Sequence, residues 1–249
     1  MAPTGVVNWH IGRCGSSVLG SLLAQHPDVG YSNEIFSPFM PRRRGERLLP
    51  SLDQVVQSAA RDIQTPIHLF EVKHLRAQNL GLYPQLRLEN WLSRFDALGY
   101  RHHLLMCRRN GLRRMVSHVR ASQTGLYVAA ADTKPPFAAV SLPLDAITHG
   151  FERRSLLDWL EIYEHGHAKM RDAFSQRQDH WLELVYEDDI EATPLQAYQR
   201  VCDFLGLAPV ETVLRHRKMN PGPLCDLIAN YVAVEACLKP TRFAWMLDA

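Results

Sequence analysis

Val6-Val-Asn-Trp-His-Ile-Gly12-Arg13-Cys14-Gly15-Ser16-Ser17-Val18-Leu-Gly20-Ser21-Leu-Leu-Ala-Gln-His26 passes from an apolar strand pattern, through a glycine-bearing turn with one arginine, into an apolar helix pattern. Such a handover builds a cradle for an anion, because the first helical turn leaves N–H groups unpaired and the aligned peptide dipoles gather positive charge there. Gly12 and Gly15 let the backbone curl close to the anion, the Ser16 and Ser17 hydroxyls can donate to it, and Arg13 supplies a fixed charge. A tight turn with purely structural glycines gives the same pattern, so a second segment has to be read beside it.

Two nucleotide-binding patterns are missing. Gly15 and Gly20 have the separation of G-x-x-x-x-G-K-[ST], but Ser21 stands where that motif needs lysine. Gly12, Gly15 and Gly20 also fail the spacing of G-x-G-x-x-G.

The second segment is Tyr100-Arg-His-His-Leu-Leu-Met-Cys107, a strand pattern that runs into Arg108-Arg109-Asn110-Gly-Leu-Arg-Arg-Met-Val-Ser117. Asn110 suits the cap of a following helix. Ser117 lies about two helical turns beyond Arg109, so both can face one anion if the arginine ends the strand. A solvated basic helix start would read the same way.

Taken together, the two segments resemble the sulfotransferases that use 3′-phosphoadenosine 5′-phosphosulfate (PAPS). Arg13-Cys14-Gly15-Ser16-Ser17-Val18-Leu19 is similar to their 5′-phosphosulfate loop, and Arg109-Asn110 with Ser117 has the spacing of their 3′-phosphate site. Leu184-Val-Tyr-Glu187-Asp-Asp, the helix ending Phe204-Leu-Gly206-Leu, and the tail from Lys218-Met-Asn-Pro to Asn230-Tyr support the likeness. The tail and the length are most like small bacterial members acting on carbohydrates or lipo-oligosaccharides.

The resemblance implies an α/β fold with a mainly parallel sheet flanked by helices, one sulfotransferase domain over residues 1–249, and PAPS as donor to an acceptor hydroxyl on a sugar or glycolipid. It also implies no metal. A nucleotide-dependent phosphotransferase on the same strand-loop-helix, or a non-catalytic nucleotide-binding module, stay open as alternatives. Arg13 would meet the bridging oxygen or departing 5′-phosphate, with the loop from Cys14 to Val18 around it. Arg109 and Ser117 would read the 3′-phosphate, and Lys218 would reach a phosphate from the tail. Sulfuryl transfer calls for positioning and charge stabilisation more than covalent chemistry.

An acceptor hydroxyl needs a base. Glu34, in Asn33-Glu34-Ile-Phe36, has the x-E-x-F context of the base glutamate in bacterial and carbohydrate members; a loop glutamate paired with one of Arg42 to Arg44 is the other reading. Burial would raise its pKa and nearby arginines would lower it. Glu71-Val-Lys73-His74-Leu75-Arg76 is similar to the K-x-H-L-P segment that carries the lysine and catalytic histidine of aryl and steroid sulfotransferases, which makes His74 a competing base and Lys73 a contact of the sulfuryl group, but here Lys73 and His74 are adjacent and Arg76 replaces proline. Strand neighbours point to opposite faces, so Lys73 and His74 are expected to serve different sides. His10 reads as a packed strand residue, and Tyr186-Glu187 as support for the core or an arginine.

Composition sets outer bounds. The 249 residues are 46% hydrophobic and 22% charged, enough for one large core, and the net charge of +2 lacks the basic stripe of a nucleic-acid binder. The five cysteines form no C-x-x-C pair and read as reduced thiols. With no signal-peptide pattern and no run of about 18 apolar residues, the chain reads as cytoplasmic without a transmembrane segment.

Strands are expected at Val6 to Ile11, Ile67 to Lys73, His102 to Cys107 and Trp181 to Tyr186, with helices between them. The clearest helix spans Arg153 to Phe174, with Leu156, Leu160, Tyr163, His167, Met170 and Phe174 as its buried stripe, and a second spans Leu195 to Leu205 with Gly206 as its cap. Phe36 to Pro50 and Leu126 to Gly150 lack periodicity and read as loops near the site.

Overall fold

The computed structural model describes residues 3–130, 139–216 and 218–248, without the side chain of Arg42. The stretch 131–138, inside the second expected loop, lies outside the described residues, as do Met1 and Ala2 at the amino terminus.

The chain forms β1 (Thr4–His10), α1 (Ser16–Leu23), β2 (Val29–Tyr31), α2 (Pro41–Arg44), α3 (Leu52–Ala60) and β3 (Ile67–Lys73). It continues with α4 (Leu88–Ala97), β4 (Tyr100–Cys107), α5 (Gly111–Thr124), a small antiparallel hairpin of β5 (Ile147–His149) and β6 (Glu152–Arg154), and α6 (Leu156–Arg177). Then come β7 (His180–Val185), a wide helical turn over Tyr186–Ile190, α7 (Pro194–Leu205), α8 (Leu224–Leu227) and α9 (Tyr231–Leu238).

Five strands make one parallel sheet in the order β2-β3-β1-β4-β7, flanked by helices. Parallel strands covered on both faces read as nearly continuous apolar runs. This is why Val6, Val7 and Trp9 of β1 are all fully buried although they alternate in direction. Val7, Trp9, Phe70 and Val72 pack with Trp91 and Phe95 of α4 and with Phe174 of α6. Val6 and Leu69 pack on the opposite face, with Leu19 and Leu22 of α1 and Val201 of α7. A third cluster joins α5, the first half of α6 and the C-terminal helices.

The four expected strands are present within two residues of their ends. The stripe on α6 is buried at every expected position. Ser155 closes α6 at its start with a capping box, and Gly206 ends α7 at φ 68°, where a side chain would be strained. The poorly periodic segment after Phe36 holds a 3-10 turn at Ser37–Phe39 and the four residues of α2, while Phe36 itself is buried edge-on against Trp91. Among the described residues no helix is long and apolar enough to cross a membrane.

Candidate active site

Every strand of the main sheet delivers a polar group at or just past its carboxyl end, where open parallel sheets bind ligands. Arg13 follows β1, Glu34 follows β2, Lys73 ends β3, Arg108 follows β4 and Tyr186 follows β7. The chain leaves β1 for β2 and β3 on one side and returns to β4 and β7 on the other, so the Arg13 loop lies at the switch point.

That loop is built around left-handed backbone: Gly12 at φ 80°, Arg13 at φ 61° and Gly15 at φ 86°. Gly15 sits just before α1, and a Cβ there would lie 2.6 Å from Ile190 Cγ2, so the glycine serves both conformation and close packing. Arg13 Nε donates to Ser117 Oγ at 2.9 Å, and its Nη1 donates to the Tyr127 carbonyl at 2.7 Å. Burial and the neighbouring Arg114 and Arg108 guanidiniums lower its pKa, yet it carries its charge at any physiological pH.

A cavity of about 320 Å³ opens over the loop and is lined by Arg13, Gly15, Ser16, Ser17, Val18 and Ser117. Lys218 and Asn220 of the tail close its far side, with Tyr186 and Arg108 beneath. Lys218 is ion-paired with Glu191 at the rim. Cys14 is fully buried in the core cluster under the loop and does not line the cavity.

Arg109 does not join this cavity. Its guanidinium is half exposed and forks onto Asp188, while Arg108, one residue earlier, is the buried cation. Arg108 lies 4.2 Å over the Tyr186 ring, donates to the Arg13 carbonyl at 3.2 Å and has its Nε 3.8 Å from Glu187. Glu187 also accepts the N–H groups of Arg109 and Asn110, which fixes the turn with Arg108 inward and Arg109 outward. Ser117, which accepts from Arg13, lines the cavity together with Arg13 and Arg108, and Arg109 does not line it. The reason is the direction of the residues leaving β4, which the spacing alone does not set.

A second cavity, of about 520 Å³, shares Arg13, Ser16, Ser17 and Tyr127 with the first. It contains Glu34 and Lys73, whose Oε2 and Nζ are 2.7 Å apart and about one quarter exposed. Burial pushes the Glu34 carboxyl up, but the Lys73 ammonium, with the Arg43 guanidinium beyond it, pulls harder, and its pKa falls below the ordinary value.

His74 faces the other way. Both of its ring nitrogens are buried without a hydrogen-bond partner, its ring packs 5.3 Å from that of His167, and burial drives its pKa well below the ordinary value. It lines a separate cavity beside α6, away from Glu34 and Lys73. The expected base role of His74 is not supported by this placement: alternation along β3 sends Lys73 to the site and its neighbour to the opposite face.

Behind Glu34 lies a buried carboxylate that the sequence reading left without a role. Glu71 accepts from Tyr31 Oη at 2.9 Å and from Asn8 Nδ2 at 3.4 Å. His10 Nδ1 accepts the Gly12 N–H at 2.9 Å, so Nε2 holds the proton and donates to Glu71 Oε2 at 3.1 Å. His10, Glu34 and Glu71 bring ligand atoms within 4.8 Å of one another, but these atoms are engaged with Gly12, Lys73, Tyr31 and each other. The parallel pairing of Asn8 with Glu71 and His10 with Lys73 is the register that assembles this group.

The model of the Stf0 sulphotransferase family matches residues 65–219, more than half of the chain. The chain belongs to the Stf0 sulphotransferase family. Comparison with curated proteins finds no match. Among solved structures, this Stf0 sulphotransferase is similar to a sulfotransferase from Alicyclobacillus acidocaldarius, with 16% identity and a TM-score of 0.49 over 100% of this chain and 95% of that one. As a member of the Stf0 family, it is an enzyme of sulfuryl transfer.

Proposed function

We propose that this enzyme moves a sulfuryl group from PAPS to a hydroxyl of a carbohydrate or glycolipid, with residues 1–249 working as one sulfotransferase domain. The observation that carries the reading is the meeting of two cavities at Arg13, Ser16 and Ser17: one lies over the glycine turn with Arg108 and Lys218 around it, the other holds Glu34 beside Lys73.

In this reading Arg13, the Gly15–Val18 backbone and the Ser16 and Ser17 hydroxyls hold the 5′-phosphosulfate of the donor. Arg108 and Ser117 take the 3′-phosphate, the role the spacing assigned to Arg109, and Lys218 closes over the nucleotide from the tail. Glu34 removes the proton of the acceptor hydroxyl as its oxygen bonds to sulfur. The bond from sulfur to the 5′-phosphate oxygen breaks, the electron pair stays on that oxygen, and Arg13 meets the charge. Lys73 keeps Glu34 ionised and stands beside the sulfuryl oxygens.

Ser32, Asn33, Gln78, Asn79 and Thr148 give the second cavity a hydroxyl- and amide-rich wall, suited to a polyhydroxylated acceptor. Calorimetry with adenosine 3′,5′-bisphosphate, AMP, and ATP with magnesium tests the donor assignment. Preference for the bisphosphate is expected; equal affinity for AMP, or tighter binding of ATP with magnesium, defeats it.

A further inference from the structure

Arg114 of α5 is only 1% exposed and has no carboxylate partner among the described residues. Its Nε donates to the Gly12 carbonyl at 3.0 Å and its Nη2 to the Ile11 carbonyl. Its guanidinium lies 3.9 Å over the Tyr163 ring, and Nη2 is 3.5 Å from His149 Nε2. Nη1 is buried with no hydrogen-bond partner.

A buried cation balanced by carbonyls, a ring face and an imidazole nitrogen, with no opposing charge, is costly. Its position gives the cost a use. Ile11 and Gly12 immediately precede Arg13, and Arg114 draws both their carbonyls toward itself. The same helix face carries Ser117, one turn on, which accepts from Arg13. Arg114 thus holds the two peptide groups from which the left-handed turn at Gly12 and Arg13 starts. Arg114 and Arg108 stand close enough to Arg13 that their repulsion, after burial, lowers its pKa. Arg114 lines the second cavity rather than the first, and the two cavities meet at Arg13, where an anion relieves that repulsion.

We propose that Arg114 serves the sulfuryl donor through its charge: left without a carboxylate, that charge is balanced by the anionic donor, while the fork on the Ile11 and Gly12 carbonyls is scaffold. The proposal rests on the donor reading above. Arg114→Gln and Arg114→Lys, compared with the unaltered enzyme by calorimetry with adenosine 3′,5′-bisphosphate and by thermal melting, separate charge from scaffold. Both variants lose the two-pronged fork and are expected to melt lower. The glutamine variant is expected to bind the bisphosphate at least tenfold more weakly, and the lysine variant, which keeps the charge, within about threefold of the unaltered enzyme.

A folded glutamine variant that binds within threefold of the unaltered enzyme overturns the proposal. So does a lysine variant that loses as much affinity as the glutamine one, since a purely structural residue would give equal losses. If the glutamine variant does not fold, the lysine variant decides alone, and a loss beyond tenfold overturns the proposal. Failure of the unaltered enzyme to prefer the bisphosphate over AMP would instead defeat the donor reading, so the two failures are distinct.

Discussion

Lys73 Nζ and Glu34 Oε2, delivered by adjacent parallel strands, stand 2.7 Å apart on the floor of the second cavity. A carboxylate so paired stays ionised and ready to accept a proton, and removing its charge should stop the chemistry without emptying the donor site. Glu34→Gln is expected to lower kcat by roughly 10²–10⁴-fold, the usual range for a general base. Bisphosphate affinity should stay within about threefold. Calorimetry and single-turnover rates check both halves.

The same pair fixes a pH dependence. Glu34 has its pKa lowered in the folded enzyme, so the pair's stabilisation is complete above the unfolded carboxyl value of about 4.3 and is lost as pH falls through the lower folded value. In Lys73→Met the largest lowering partner is gone and burial dominates. The acid limb of the kcat/KM profile should then move to higher pH, whereas an unmoved limb would show that Lys73 does not set the state of Glu34.

Arg108 and Arg109 are neighbours with opposite fates. Arg108→Ala should weaken bisphosphate binding by about 10–150-fold, the worth of one hydrogen bond to a charged group at roughly 1.5–3 kcal/mol. Arg109→Ala removes an exposed pair with Asp188, of a kind worth about 0–1 kcal/mol, and should leave binding within a few-fold. Calorimetry on the two variants ranks them; the reverse order would return the 3′-phosphate to Arg109.

Gly15→Ala tests the loop. At φ 86° an L side chain costs about 1–2 kcal/mol, and the added carbon meets Ile190 at 2.6 Å. A lower melting temperature and a loss of bisphosphate affinity of at least tenfold are expected together. Full affinity in this variant would mean that the turn reshapes freely.

His74→Phe should be silent in catalysis. No hydrogen bond is lost, since both ring nitrogens lack partners, and replacing an unsatisfied buried polar ring with an apolar one of similar size is close to neutral or stabilising. Steady-state kcat within about twofold and an unchanged or higher melting temperature are expected. A tenfold fall in a folded variant would restore His74 as a base candidate.

The strands and the glycine turn into α1 were readable because each is a local pattern: an apolar run, two glycines and a helix stripe. β2 escaped notice because three residues carry no usable periodicity, and the hairpin of β5 and β6 because each arm is equally short. The inward placement of Arg108 and the outward one of Arg109 turn on the way the chain leaves β4, where Glu187 seizes two backbone N–H groups from 77 and 78 residues away in sequence. Arg114 was within reach, since it lies three residues before Ser117 on the same helix face. Glu71 was not, because its partners Asn8, His10 and Tyr31 come from two other strands.

The brevity of β2 has a bearing on how these molecules behave when crowded. Val29–Tyr31 forms one margin of the sheet, and three residues leave a foreign strand few main-chain groups to zip onto. Ribbon-like polymerisation would have to start at the opposite margin, along His180–Val185, where Arg171 clasps Glu183 and Arg200 reaches across to the Glu183 carbonyl. The margin that is long enough to template growth is also the one laced with charged side chains.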